Sequence, residues 1–217
     1  MVLAILQARM SSSRLPGKVA MDANGESMLS YEIKRILQSK KIDKLVVATS
    51  INPEDNIIED IAKQNGTECF RGDLNNVVDR YYQCARQYNP SHIVRLTGDC
   101  PIIDPEVIDS VISTHLSSNA DYTTNGIKRT FPDGLDTEIM TFKTLKYVHT
   151  HATTQEELEH VTYFIYTRPE LFDIQHYCND EDYSHIRWTL DYKEDYNLLR
   201  NIIKSQKDNR FSWKDLL

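Results

Sequence analysis

The chain has 217 residues, 40% of them hydrophobic, with a formal net charge of −7. That length buries a sizeable core, as one large domain or one domain with a small appendage. The acidic balance argues against nucleic-acid binding over a broad surface, which demands basic patches, and no apolar run nears the roughly 20 residues that span a bilayer.

Val2 to Leu6 reads as a short apolar strand. No basic n-region precedes it and polar Gln7 soon interrupts it, which argues against a signal peptide. Ser27 to Ser39 carries apolar residues near a helical period, at Met28, Leu29, Ile33, Ile36 and Leu37. Lys44 to Thr49 is a buried strand. Pro53 to Gln64 is a helix opened by Pro and Glu and stopped near Gly66. Glu68 to Arg71 is a strand, Leu74 to Tyr88 a helix, Ser91 to Leu96 a strand. Pro105 then opens another helix behind Asp104.

This alternation predicts an α/β, Rossmann-like sheet, mixed but mostly parallel and flanked by helices. Ligands in such sheets sit at the carboxyl ends of the strands. Residues 8–18 and Thr97-Gly98-Asp99-Cys100-Pro101 fall there. The second half is less regular. Ala120 to Asn125, Leu135 to Met140, Phe172 to Tyr177 and Ile186 to Leu190 read as strands, Thr154 to Tyr166 and Asp195 to Lys204 as helices. One domain over 1–217 is expected, with a smaller acceptor-side and dimerisation extension at about 120–180. Four cysteines, Cys69, Cys84, Cys100 and Cys178, include no CxxC pair. Metal and redox readings of them are weak, and a reduced cytoplasmic protein is expected.

The loop Gln7-Ala8-Arg9-Met10-Ser11-Ser12-Ser13-Arg14-Leu15-Pro16-Gly17-Lys18 ends in Gly-Lys, as a P-loop does. The pattern G-x-x-x-x-G-K-[ST] needs glycines for backbone approach to phosphate and a hydroxyl for magnesium. Here its first glycine falls on Ser12 and its hydroxyl on Val19, and Pro16 removes a donor. What remains is Arg9, Arg14 and Lys18 among serines. These are groups suited to phosphate, or a solvated basic turn. The whole run resembles the signature loop of sugar-activating nucleotidyltransferases. It is nearest to the cytidylyltransferases that include CMP-KDO synthetase, acylneuraminate cytidylyltransferase and the spore-coat polysaccharide group. The resemblance implies that Arg9 and Lys18 hold the phosphates of CTP and are catalytic. It further implies that Gln7, Ala8, Ser12, Thr97 and Gly98 line the nucleotide site, with Arg71, which follows a strand.

Asp99 on spacing alone reads more readily as a turn cap than as a metal ligand. Leu96-Thr97-Gly98-Asp99-Cys100-Pro101-Ile102-Ile103-Asp104 resembles the spore-coat group's segment, which implies a catalytic, magnesium-binding Asp99. Arg187-Trp188-Thr189-Leu190-Asp191 resembles R-W-T-L-D and implies Asp191 as the second magnesium ligand, with Lys193 where relatives carry Pro. On its own, Asp191 reads as a helix N-cap with Glu194 closing a capping box.

Thr130 to Glu138 resembles R-T-F-P-x-G-L-D-x-E, and Glu159-His160-Val161-Thr162 resembles E-H-V-T. Leu158 and Tyr163 stand where relatives often carry Arg and Pro. These matches imply acceptor contacts from Asp133, Asp136, Glu138, Glu159 and His160. Asp133-Gly134 also reads as a turn, His160 as a core histidine and Arg80 as structural. His149 and His151 make a poor metal site. Asp180-Glu181-Asp182 is a D-x-D, in surroundings that suit a solvated loop. The resemblance implies transfer of CMP from CTP to a sugar or sugar acid, with Mg2+ and in a homodimer. A UTP or GTP enzyme, a D-x-D glycosyltransferase and a non-catalytic nucleotide-binding homologue are the alternatives.

Overall fold

The computed structural model describes all 217 residues. Seven strands, β1 Val2–Gln7, β2 Lys44–Ser50, β3 Glu68–Gly72, β4 His92–Thr97, β5 Tyr122–Thr124, β6 Glu138–Thr141 and β7 Ile174–His176, form one sheet in the order β3-β2-β1-β4-β6-β5-β7. Only β6 runs against its neighbours. Eight α-helices accompany them: α1 Met28–Ile36, α2 Asn56–Gln64, α3 Val77–Tyr88, α4 Pro105–Ser118, α5 Phe142–His151, α6 Gln155–Glu159, α7 Tyr163–Tyr166 and α8 Lys193–Ser205.

The period of two along β1 sends Val2, Ala4 and Leu6 into one core and Leu3 and Ile5 into the other. The larger core has 33 buried residues, including Ile33 and Ile36 of α1 and Val107 and Ile108 of α4, and the smaller has 17, including Val77 and Tyr81 of α3. Both faces of β1 are therefore dry, which is why its sequence is continuously apolar. Local chemistry sets the helix starts. Ser27 accepts from the Ser30 amide at 3.1 Å, and Asp104 accepts from Glu106 and Val107 with Pro105 in the first turn. Asp104 Oδ2 also takes the Trp213 amide at 2.8 Å, while buried Arg35 donates to the Asn209 and Phe211 carbonyls, tying down the C-terminal segment.

Three expectations change. The helix expected from Leu74 begins at Val77, because Asp73 takes the Asn75 and Asn76 amides into a turn before Asn76 caps. Thr154 to Tyr166 is two short helices. His160 leaves helical geometry at φ −102°, ψ 85°, and Val161 turns into the core. Ile186 to Leu190 is not a strand. It is extended chain with a single bridge, Asp133 to Arg187, and its amides go to loops: Trp188 to the Asp133 carbonyl and Leu190 to the Asp99 carbonyl. Helix α5, capped by Thr141, lies where no element is expected. Residues 120–180 supply three strands of the same sheet.

Candidate active site

β1 and β4 are neighbours whose onward connections run to opposite sides of the sheet, to β2 and to β5, so a crevice opens at their carboxyl ends. The strands' exits touch there. The Gly98 amide donates to the Gln7 carbonyl at 2.8 Å. A Cβ on Gly98 would stand 3.1 Å from both Ala8 Cβ and the Gln7 carbonyl oxygen, so only glycine passes so close without displacing the loop. The loop itself is pinned from below. Buried Asp55 accepts the Met10 amide at 2.7 Å and the Ser50 amide at 3.2 Å, and the Gly17 amide returns to the Met10 carbonyl at 2.9 Å.

This frame turns Lys18 inward. Its Nζ lies 3.0 Å from Asp99 Oδ2 and 3.0 Å from Asp191 Oδ1. Asp191 is buried and receives two more cations, Arg14 at 2.6 Å and Arg187 at 2.9 Å. Burial pulls its pKa up, but the hydrogen bonds from Lys18, Arg187 and Arg14 prevail and hold the carboxyl below the ordinary aspartate value. The N-cap expectation for Asp191 is corrected: Asp195, not Glu194, takes the Asp191 and Tyr192 amides at 2.9 and 2.8 Å, leaving Asp191's own carboxylate free for cations. Asp99 faces Lys18 as well.

Two carboxylates converging on one cation are a suitable donor set for magnesium. That ion binds through one or two carboxylates and fills its remaining positions with water and substrate phosphate oxygens. No third Asp, Glu, His or Cys completes a metal cluster by itself. The residues therefore fit an ion that arrives with a polyphosphate.

Above them lies a polar cavity of about 280 Å3, walled by Gln7, Ala8, Arg9, Ser12, Lys18, Thr97, Gly98 and Asp99. Every expected nucleotide contact is here except Arg71. Arg71 is instead spent beside β2 and α2, on the Ser50 and Asn52 carbonyls at 2.9 and 2.7 Å and on Glu59 at 3.1 Å. Arg80, expected to be structural, lines the cavity. It is 2% exposed, its Nη1 is held by the Asp73 carbonyl, and its Nε has no partner. Arg9 pairs with Glu159 at 3.2 Å across the mouth.

A second cavity, about 410 Å3, shares Arg95, Thr97 and His160 with the first. Asp136, Glu138, Arg129, Thr124, Thr162 and Tyr166 complete its polar wall. Of the expected acceptor residues, Asp136, Glu138 and His160 stand here, Glu159 stands in the first cavity, and Asp133 stands in neither. Asp133 is engaged by Arg129 and Arg187 instead. His160 is exposed, so it is no core histidine. Glu138 is ion-paired with Arg95 and accepts from the Tyr122 hydroxyl. Burial raises the Asp136 carboxyl to about 6 against the opposing pull of Arg129. Arg95 and Arg129 are absent from the sequence reading. A charged residue inside the apolar run of β4 is the signal that marks Arg95. Asp180, Glu181 and Asp182 are exposed and border neither cavity. His149 pairs with Asp79 at 2.9 Å and stacks on Tyr82.

A family model for cytidylyltransferases matches residues 3–212. The spore coat polysaccharide biosynthesis protein SpsF of Bacillus subtilis is 35% identical over 206 residues, covering 92% of this chain and 85% of its own. A cytidylyltransferase structure from Leptospira borgpetersenii superposes with a TM-score of 0.96 at 37% identity, covering 99% of this chain and 91% of that one. The structure of CMP:2-keto-3-deoxy-manno-octonic acid synthetase complexed with CTP shares the fold, with a TM-score of 0.70 at 15% identity over 94% of this chain and 98% of that one.

Proposed function

The chain belongs to the cytidylyltransferase family, and from that premise we propose that it moves CMP from CTP to a sugar or sugar acid, releasing pyrophosphate. The convergence of Asp99 and Asp191 on Lys18, beneath a cavity that opens into a second polar one, carries this reading.

Phosphoryl transfer asks chiefly for positioning and neutralisation of charge. Arg9 and Lys18 hold the triphosphate and offset charge on the departing pyrophosphate. To do so they exchange protein carboxylates for phosphate oxygens: Arg9 leaves Glu159, and Lys18 shares Asp99 and Asp191 less. Asp99 and Asp191 would hold magnesium, which supplies charge neutralisation at the phosphates and polarises the α-phosphate when bound. Asp136 and Glu138 accept hydrogen bonds from acceptor hydroxyls. His160 lines both cavities and in this reading takes the proton of the attacking acceptor oxygen. The enzyme acts as a homodimer in the cytoplasm in this reading, and no helix is long and apolar enough to cross a membrane.

The test is pyrophosphate release with CTP, UTP and GTP crossed with a panel of free sugars, sugar phosphates and 2-keto sugar acids, with magnesium. CTP should give the highest kcat/KM. Preference for UTP or GTP at every acceptor overturns the base assignment, and no release with any pair favours a non-catalytic nucleotide-binding protein. Asp180, Glu181 and Asp182 border neither cavity, which favours this reading over the glycosyltransferase alternative.

A further inference from the structure

A line of alternating charges joins the two cavities through residues that line neither. Arg129, in the acceptor wall, donates to both oxygens of Asp136 at 2.9 and 3.1 Å and to Asp133 Oδ1 at 3.0 Å. Asp133 Oδ2 accepts from Arg187 Nη1 at 2.7 Å, and Arg187 Nη2 donates to Asp191 Oδ2 at 2.9 Å. Asp191 Oδ1 then meets Lys18, which also holds Asp99. The backbone follows the same route. The Asp133 amide donates to the Ile186 carbonyl at 2.9 Å, the Trp188 amide to the Asp133 carbonyl at 2.6 Å, and the Leu190 amide to the Asp99 carbonyl at 2.7 Å.

At 28% and 41% side-chain exposure, Asp133 and Arg187 form a pair that stabilises the fold little by itself. Its consequence is geometric. Each guanidinium is fixed from two sides by carboxylates, and Arg187 has a second place to go, since Asp195 Oδ2 lies 3.5 Å from the same Nη2 that holds Asp191.

We infer that Asp133 and Arg187 are positioning residues that couple acceptor binding to nucleotide binding by setting the orientation of Asp191. An acceptor that takes Asp136 or Arg129 loosens or tightens Arg129 on Asp133, and Arg187 redistributes between Asp191 and Asp195. The coupling is reciprocal, as any linkage between two sites must be. It rests on the proposed role of Asp191 beside the nucleotide phosphates and magnesium.

The test is a double-mutant cycle on CTP affinity, measured calorimetrically with magnesium and again with EDTA. Arg129→Met, made in the acceptor cavity, weakens CTP binding about 5- to 10-fold with magnesium and hardly at all with EDTA. In an Asp133→Asn background the same change adds nothing. Arg187→Lys, which keeps the charge and loses the fork, abolishes the coupling as Asp133→Asn does. Melting curves confirm that each variant is folded. Equal effects of Arg129→Met in both backgrounds, or no effect in the wild type, overturn the inference. A wild-type protein that prefers UTP or GTP overturns the base assignment alone, and the cycle is then read with that nucleotide. A wild type that binds no nucleotide overturns the reading of the site and the inference with it.

Discussion

Lys18 and Asp191 meet at 3.0 Å although 173 positions separate them in sequence. The contact closes the first loop of the fold onto the segment before the last long helix. It also places one ammonium between Asp191 and Asp99. Replacing Lys18 by Met removes the one ammonium shared by Asp99 and Asp191, leaves Asp191 to Arg14 and Arg187 alone, and removes the donor proposed for the phosphates. Pyrophosphate release from CTP should fall at least ~100-fold, the scale on which removal of one preorganised donor is felt. The Asp191 carboxyl, now held low by Lys18 among others, should titrate higher in side-chain carboxyl NMR. An unchanged turnover would remove Lys18 from the chemistry.

Arg71→Ala gives the opposite pattern. Arg71 ties the end of β2 to α2 and faces away from both cavities. Its loss should lower stability by roughly 1–3 kcal/mol, the range for removing a hydrogen-bonded charged group. The KM for CTP should stay within about twofold of wild type, on the ordinary scale of substitutions outside a site. A large rise in KM at unchanged stability would return Arg71 to the nucleotide site.

The contrast between Lys18 and Arg71 shows what one-dimensional reading supports. The parallel half of the sheet was legible because each strand is a short apolar run bounded by a helix with its own capping residue, as Ser27 and Asp104 illustrate. The first loop was legible from its charge pattern and motif. Arg71 and Asp133 stand outside both cavities, which the sequence does not reveal because their motifs give residue type and loop position but not which way a side chain turns. Each is consumed by partners far along the chain. Helix α5 is not evident in the sequence because Lys, Thr and His dilute its apolar period, and it is held by packing of Leu145 and Val148 in the smaller core. Arg80 reads as structural in the sequence because its cavity forms only when the first loop, β4 and α3 come together.

Gly134 joins the acceptor loop to the segment carrying Asp191. Its φ is +114°, and a Cβ would stand 2.7 and 2.8 Å from the Trp188 carbonyl carbon and oxygen. Those are backbone atoms of the segment that ends in Asp191, so they cannot yield without moving the carboxylate. Gly134→Ala should cost about 1–3 kcal/mol from backbone conformation alone, with a further loss from the contact. The surviving folded fraction should show a raised magnesium requirement for pyrophosphate release. Wild-type melting and magnesium dependence together would refute this account of the junction.

Asp136 should impose a pH dependence on acceptor binding. Its carboxyl lies at about 6, above the ordinary 3.8, mainly because burial disfavours the charge. The ionised form, which accepts hydroxyl hydrogen bonds, is present above that value and lost as pH falls through it. The KM for the acceptor should therefore rise below pH ~6, while Asp136→Asn gives a weaker but flat profile. A profile that is identical in the variant would assign the titration to another group.

A pH effect on the fold itself comes from a histidine pair outside both cavities. His115 is 1% exposed, with its Nδ1 3.0 Å from Thr123 Oγ1 and its Nε2 3.1 Å from His92 Nδ1. Two facing ring nitrogens share one proton, so a second proton on the pair sets donor against donor. Burial, and then the neighbouring His92, push the His115 pKa down to about 4, with Asp121 opposing. In the unfolded chain it returns to about 6.5, the ordinary histidine value. The unfolded state thus takes up a proton first as pH falls. The contribution is complete above pH ~6.5 and lost progressively down to pH ~4, amounting to ~3 kcal/mol. Urea midpoints measured from pH 7 to pH 4 should fall accordingly. His115→Gln keeps partners for Thr123 and His92 but cannot titrate, so its midpoint should fall less over the same range. Parallel slopes for wild type and variant would show that the acid sensitivity lies in the carboxylate network and not in the histidine pair.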